Sequence, residues 1–364
     1  MLRPATHRLR ASTLVLALVA LLALAACSRR EAPAEPAAPA GGGTPAAELR
    51  LGYFPNINHA PALIGVANGY FQQELGDTKL TTQTFNAGPE EVAALLGGSL
   101  DVGFIGSGPA INAFAKSNGE AVRLIAGSTS GGAQLVVAPD IATPDQLKGK
   151  IIATPQAGNT QDIALKKWLK DNNIANGTGP DAVTVQNIEN PRTLDLFKSG
   201  EVAGGWLPEP WSSRLVDAGA KVLVDEKTLW PDGKFPTTVM IVRTQFLQDH
   251  PQTVEALLRA HQRSIEFATA DQAQAKTVSN DAIKQLTNSA LAPAVLDRAF
   301  SELTFEIDPL AATFPQLAKD SVTAGAAETE PNLAGFVDVT ALNAVLQASG
   351  KPTVDAAGLD RAQG

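Results

Sequence analysis

The sequence predicts an α/β fold in two lobes. Two patterns carry that prediction: a strand, a loop of small polar residues and a helix follow one another four times before Arg243, and beyond it the alternation gives way to helices. A chain of 364 residues, 44% hydrophobic and 18% charged, is also too long for one ordinary domain and long enough to bury a large core.

Residues 1–26 read as a secretory signal, with Arg3, Arg8 and Arg10 ahead of an apolar core from Leu14 to Leu24 that is too short for a stable membrane span. The signal ends in Leu24-Ala25-Ala26-Cys27, which resembles a bacterial lipobox. Cys27, the single cysteine, is therefore the expected lipidation site, and no internal disulfide can form. Residues 27–47 are mostly Pro, Ala and Gly and are expected to form a disordered, lipid-anchored tether. Without the signal the chain has 26 basic and 37 acidic residues, a net charge of −11. That balance excludes a nucleic-acid binder, and it requires any anion site to be built from local, oriented donors.

From Glu48 the sequence Leu-Arg-Leu-Gly-Tyr-Phe alternates as a strand does, and Pro55-Asn-Ile-Asn58-His59-Ala-Pro61 leads into an apolar helix that ends near Asn68. Leu80 to Phe85 is a second strand, followed by a helix from Glu90 to Leu96. Asp101 to Ile105 is a third strand; it enters Gly106-Ser107-Gly108-Pro109, with Pro109 placed for the first position of a helix to Lys116. Its Gly-x-Gly lacks the third glycine of a dinucleotide fingerprint, because Ile111 stands there, and no such cofactor is expected.

Val122 to Ala126 reads as a strand, Ser128 to Gly132 as a turn and Gln134 to Ala138 as another strand, with a short helix from Thr143 to Lys148. Ile151 to Thr154 then runs into Pro155-Gln-Ala-Gly-Asn159-Thr160-Gln161-Asp162. There Asn159 or Thr160 is a candidate helix cap, and Ala164, Leu165, Trp168 and Leu169 mark a buried helix face. A helix starting at the carboxyl end of a strand points unpaired N–H groups into the crevice, where open α/β sheets bind small anions. A strand from Val183 to Ile188, a helix from Thr193 to Ser199 and a strand from Val202 to Trp206 follow, opening into Leu207-Pro-Glu209-Pro-Trp211. After Lys221 to Asp225 and Thr238 to Arg243 come helices over Pro251–Ala268, Asp271–Leu286 and Pro293–Leu303.

These pieces together resemble the solute-binding proteins of bacterial ABC importers that take up aliphatic sulfonates, taurine and nitrate. The carriers are Gly52-Tyr-Phe-Pro with Ala60-Pro61, Gly98-Ser-Leu-Asp101, Phe104-Ile-Gly-Ser-Gly-Pro-Ala110, Leu147-Lys-Gly-Lys150 leading to Gly158-Asn-Thr-Gln-Asp162, and Trp206-Leu-Pro-Glu-Pro-Trp211. The resemblance implies a type II periplasmic-binding-protein fold, with a two-strand hinge and a ligand cleft between the lobes. Lobe one would be residues 48–134 and 240–364, lobe two 135–239, and the hinge strands Gln134 to Ala138 and Thr238 to Arg243. It further implies a periplasmic, monomeric protein that takes no cofactor and partners an ABC permease with its ATPase subunits. Its solute would be a small organic anion, an aliphatic sulfonate first. Nitrate, or a pyrimidine precursor of thiamin, is the alternative within the binding class, and a pyrimidine-synthase-like enzyme on the same fold is the alternative outside it.

The candidate contacts follow from both readings. Ser107 and Gly108 sit where a strand becomes a helix, as a ligand site or as a plain turn. Asn159, Thr160 and Gln161 offer neutral donors at the matching start in lobe two, beside their capping role. Asn58 and His59 lie in the first loop, Ser130 and Gly131 in the turn before the hinge. Trp206 would pack on an organic tail or in the core. Glu209 would either turn away or pair with an ammonium on a zwitterion. With no close cluster of His, Asp and Glu in the sequence, neither a metal-ligand set nor a nucleophile–base pair is evident, and a binder is expected over an enzyme.

Overall fold

The computed structural model describes residues 43–361, so the expectations for the signal, for Cys27 and for residues 27–42 lie outside the described residues. Strand β1 (Glu48–Tyr53) follows its own pattern: Leu49 and Leu51 are buried, Glu48 and Arg50 partly exposed, and from Gly52 onward both faces are covered. Helices α1 (Ala60–Ala67) and α2 (Tyr70–Leu75) come next, then β2 (Lys79–Thr84), α3 (Gly88–Leu96), β3 (Val102–Ile105) and α4 (Ser107–Lys116). The chain continues through β4 (Val122–Gly131), β5 (Ala133–Val137), β6 (Ile151–Thr154), α5 (Thr160–Asp171), β7 (Ala175–Asn176) and β8 (Ala182–Asn187). It then forms α6 (Asn190–Ser199), β9 (Gly204–Pro208), α7 (Trp211–Asp217), β10 (Lys221–Asp225) and β11 (Pro236–Arg243). The remainder is helical, α8 (Thr244–Asp249), α9 (Pro251–Ala270), α10 (Gln272–Thr287) and α11 (Pro293–Ser301), then a short strand β12 (Leu303–Phe305), α12 (Phe314–Thr323) and α13 (Thr340–Ala348).

The strands make two six-stranded sheets, ordered β12-β4-β11-β3-β1-β2 and β10-β5-β9-β6-β8-β7. In the first, β1 is parallel to both β2 and β3; in the second, β6 is parallel to both β8 and β9. The carboxyl ends of β1 and β3, and those of β6 and β9, therefore release the four loops that precede helices, at the edge where such sheets hold ligands. One large apolar core covers the first sheet and three smaller clusters the second.

Several boundaries differ from the sequence expectation. The strands expected as the hinge each lie inside one sheet, β5 between β10 and β9, β11 between β4 and β3. The crossings fall beside them, at Gly131-Gly132 and along residues 226–235. Gly132 has φ +66°, and a Cβ there would meet Leu303 Cδ2 at 2.3 Å, so only glycine makes this turn. Residues 43–47 are packed rather than tether-like: Ala46 is buried with its N–H donating to Thr253 Oγ1 at 2.9 Å, and His250 Nδ1 lies 2.8 Å from the Thr44 carbonyl oxygen. Helix α4 begins at Ser107, with Gly106 as its N-cap and Pro109 two positions further on.

A buried carboxyl marks the first core. Gly52 and Gly103 face each other on β1 and β3, and a Cβ on either would meet Glu91 Oε1, at 2.3 and 2.5 Å. Glu91 is fully buried with neither oxygen hydrogen-bonded, and burial holds its pKa well above the carboxylate range. A raised folded pKa means that this contribution to stability is fully present below the unfolded value, about 4.3, and is lost as pH rises toward the folded value. Urea titrations at about pH 5 and 8 are expected to show a smaller fall in stability for Glu91→Gln than for the wild type. Equal falls would remove Glu91 as the cause.

Candidate ligand cleft

The start of α5 is fixed by its own loop. Asn159 caps the helix, its Oδ1 accepting from the Asp162 N–H at 2.8 Å, and Asp162 Oδ2 accepts from the Gly158 N–H at 2.9 Å. Asp162 is fully buried and also accepts from Thr154 Oγ1, Asn187 Nδ2 and Lys166 Nζ, so every lone pair it offers goes to scaffolding. The α4 start lies directly opposite. The Gly108 N–H donates to Thr160 Oγ1 at 3.2 Å, and Asn112 Nδ2 donates to the Gly158 carbonyl at 3.2 Å. A Cβ on Gly106 would lie 2.4 Å from Thr160 Oγ1, which is why small residues line this approach. Ser107, the first residue of α4, is fully buried, and its hydroxyl has no hydrogen-bond partner among the described residues.

The first loop adds neutral polar groups. Asn58 Nδ2 donates to Thr238 Oγ1 at 2.8 Å, and Thr129 Oγ1 donates to the Asn58 carbonyl at 2.8 Å. His59 Nδ1 accepts from the Phe54 N–H at 3.3 Å, which places the ring proton on Nε2, an atom with no partner. Burial pushes the His59 pKa down to about 3, so this ring is a neutral donor at physiological pH. Trp211 Nε1 donates to Asn56 Oδ1 at 2.9 Å, and the Asn58 N–H reaches the Glu209 carbonyl at 3.4 Å, so the loops of the two sheets are tied together.

A partly open cavity of about 30 Å³ lies among these groups, small against any organic solute. Of the candidates, Asn58, His59, Asn159, Thr160 and Gln161 line it, and Gly108 adjoins it through Thr160, whereas Ser107 is buried without lining it. Asn56, Asn86 and Asn190 line it as well and were missed. Asn190 opens α6 just before Pro191, a helix-start signal that would have found it.

Four candidates lie elsewhere. Ser130 and Gly131 belong to β4, which continues past Ala126 because both its edges are paired, with β11 and with β12; Ser130 Oγ accepts from the Phe235 N–H. Trp206 is in mid-strand, fully buried, with its ring centroid 6.2 Å from that of Trp168 and Nε1 donating to Glu226 Oε2 at 2.7 Å. Burial pushes Glu226 up to about 8, so this carboxyl is mostly protonated at neutral pH. Glu209 turns away from the cavity: its Oε1 accepts from Ser212 Oγ at 2.7 Å and Arg298 Nη1 at 3.1 Å. Burial raises its pKa while Ser212, Ser213 and Arg298 pull it back.

A profile of the NMT1-like family matches residues 42–281, more than half of the chain. The chain belongs to the NMT1-like family. Among relatives, the taurine-binding periplasmic protein of Escherichia coli is 30% identical over 203 residues, 55% of this chain and 60% of that protein. The bicarbonate-binding protein CmpA of Synechococcus elongatus is 27% identical over 249 residues, 58% of this chain and 51% of that one. The chain thus spans less than two thirds of the length of these relatives. Among solved structures, the alkanesulfonate-binding protein SsuA from Xanthomonas axonopodis bound to MOPS superposes with a TM-score of 0.65 at 21% identity, over 79% of this chain and 96% of that one. The nitrate-binding protein NrtA from Synechocystis gives 0.68 at 14%, over 84% and 90%. At such identities the likeness shows the fold, a two-lobed α/β periplasmic binding architecture.

Proposed function

We propose that this protein is the solute-binding component of an ABC importer, holding a small organic anion, an aliphatic sulfonate first, between the starts of α4 and α5 and delivering it to the permease. The observation that carries the reading is the pair of helix starts from separate sheets that meet through Gly108 and Thr160. Helix N-termini offer N–H donors and partial positive charge without a titrating group, which suits a sulfonate that stays ionised. A solute touching both lobes favours the closed form by its differential affinity for it, and the permease would read that form. The kinship with a taurine-binding protein supports the same class. A second reading, nitrate or bicarbonate, is favoured by the small size of the cavity.

Calorimetry with ethanesulfonate, taurine, nitrate and bicarbonate tests this. Ser107→Ala and Thr160→Ala are each expected to weaken binding of the true ligand by about 1–3 kcal/mol. Affinity should stay flat between about pH 5 and 8, because His59 is neutral throughout. Unchanged affinity in both variants would sink the site, and ligand recovered chemically altered would point to an enzyme. We also propose that Cys27 anchors the protein by a lipid on the periplasmic side of the envelope. Cys27→Ala should release the protein from membranes or leave it unprocessed, and a variant that both fractionates and migrates as the wild type does would overturn the anchor.

A further inference from the structure

Beside the inner cavity, and sharing Asn56, Asn86 and Asn190 with it, is a chamber of about 210 Å³, the share of about seven waters. Phe85, Ile283 and Leu291 wall it from one side, Pro191 and Trp211 from the other, and Arg214 is its single charged residue. Arg214 is half-buried with its guanidinium carbon 4.5 Å from the centre of the Trp211 ring. Arg50, Arg243, Arg259 and Arg298 each pair with a carboxylate, whereas Arg214 has none within ion-pair distance among the described residues. Burial without a counter-ion depresses its pKa, the mark of a cation whose desolvation nothing offsets. The Trp211 ring holds the guanidinium by a cation–π contact, which uses none of its N–H donors, and a planar, bidentate acceptor such as a carboxylate suits them.

We infer that this chamber is a second anion subsite of the cleft, with Arg214 as its specificity-determining residue, and that the solute is a short organic dianion carrying a sulfonate at one end and a carboxylate at the other. The sulfonate end meets the starts of α4 and α5, the methylenes lie along Phe85 and Trp211, and the carboxylate pairs with Arg214. This rests on the reading of the inner cavity as a sulfonate site. The sequence offered no sign of it, since none of the four strand-to-helix loops carries Arg or Lys, and Arg214 stands one turn into the helix that follows the last of them.

The test is calorimetry on the full chain with matched pairs, ethanesulfonate against sulfoacetate and propanesulfonate against sulfopropanoate, in which a terminal methyl is exchanged for a carboxylate. In each pair the dianion is expected to bind at least about tenfold tighter, with a steeper loss of affinity in salt. Arg214→Gln should erase that preference, bringing the ratio of dianion to monoanion affinity within each pair to about one. Arg214→Lys should retain part of the preference, which covers the case in which the Gln variant folds poorly. If ethanesulfonate binds and sulfoacetate binds no tighter, or if the preference survives in Arg214→Gln, the inference is wrong and the sulfonate reading stands. If no member of either pair binds, both fail together.

Discussion

Replacing Trp206 with Ala is expected to cost about 3–5 kcal/mol of folding stability. The indole is fully buried in β9 against Trp168 and Leu135, in the largest of the three apolar clusters that cover the second sheet. Its removal leaves a cavity, and it also takes away one of the N–H groups donated to the buried Glu226 carboxyl. Urea unfolding of the variant measures the loss, and a change of less than about 1 kcal/mol would show that the cluster collapses without cost. Because Trp206 is remote from the cavity, Trp206→Phe should keep any ligand-dependent change in emission. Trp211→Phe should lose it, since Trp211 is the indole bonded across the cleft to Asn56.

Arg298→Ala is the second large effect, expected at about 3 kcal/mol. Its guanidinium reaches from α11 to Glu209 Oε1 at 3.1 Å, Ser213 Oγ at 2.8 Å and Gln134 Oε1 at 2.6 Å, binding the C-terminal helices to α7 and β5. Glu209 is fully buried, so loss of the arginine strands a carboxylate that burial already destabilises. The double variant Glu209→Gln, Arg298→Met should recover most of the loss, since it removes both charges at once. A double variant as unstable as Arg298→Ala would mean that packing of the arginine stem, not charge, is the cause.

The four strand-to-helix units were legible because each is local: an apolar strand, a cap such as Asn159 and a helical stripe lie within about twenty residues of one another. The helix starts that meet at Gly108 and Thr160 were legible for the same reason. Trp206 and Glu209, each left with two readings by the sequence, prove to be the core residue and the turned-away carboxyl. The strand holding Trp206 extends to Pro208 because it pairs with Ala133 to Val137, and Glu209 is held by Ser212 three residues on and also by Arg298, 89 residues away, which no local pattern shows. Ser128 to Gly131 has the composition of a turn, yet two neighbouring strands hold it extended. The short elements α2 and β12 carry too few residues for a period to show.

The interleaving of the first sheet also bears on how the chain is made. β3 lies between β1 and β11, its four residues are all buried, and the whole second sheet, residues 133–225, separates it in sequence from β11. As the exported chain emerges from the membrane N-terminus first, the inserted sheet has every strand it needs before β11 appears, whereas the sheet that began first must wait for β11 and then for β12. Throughout that interval β3 presents an apolar, unpaired edge, the kind that recruits strands from other chains. The time the inserted lobe takes to emerge on the far side of the membrane is therefore the time for which the older lobe is open to aggregation.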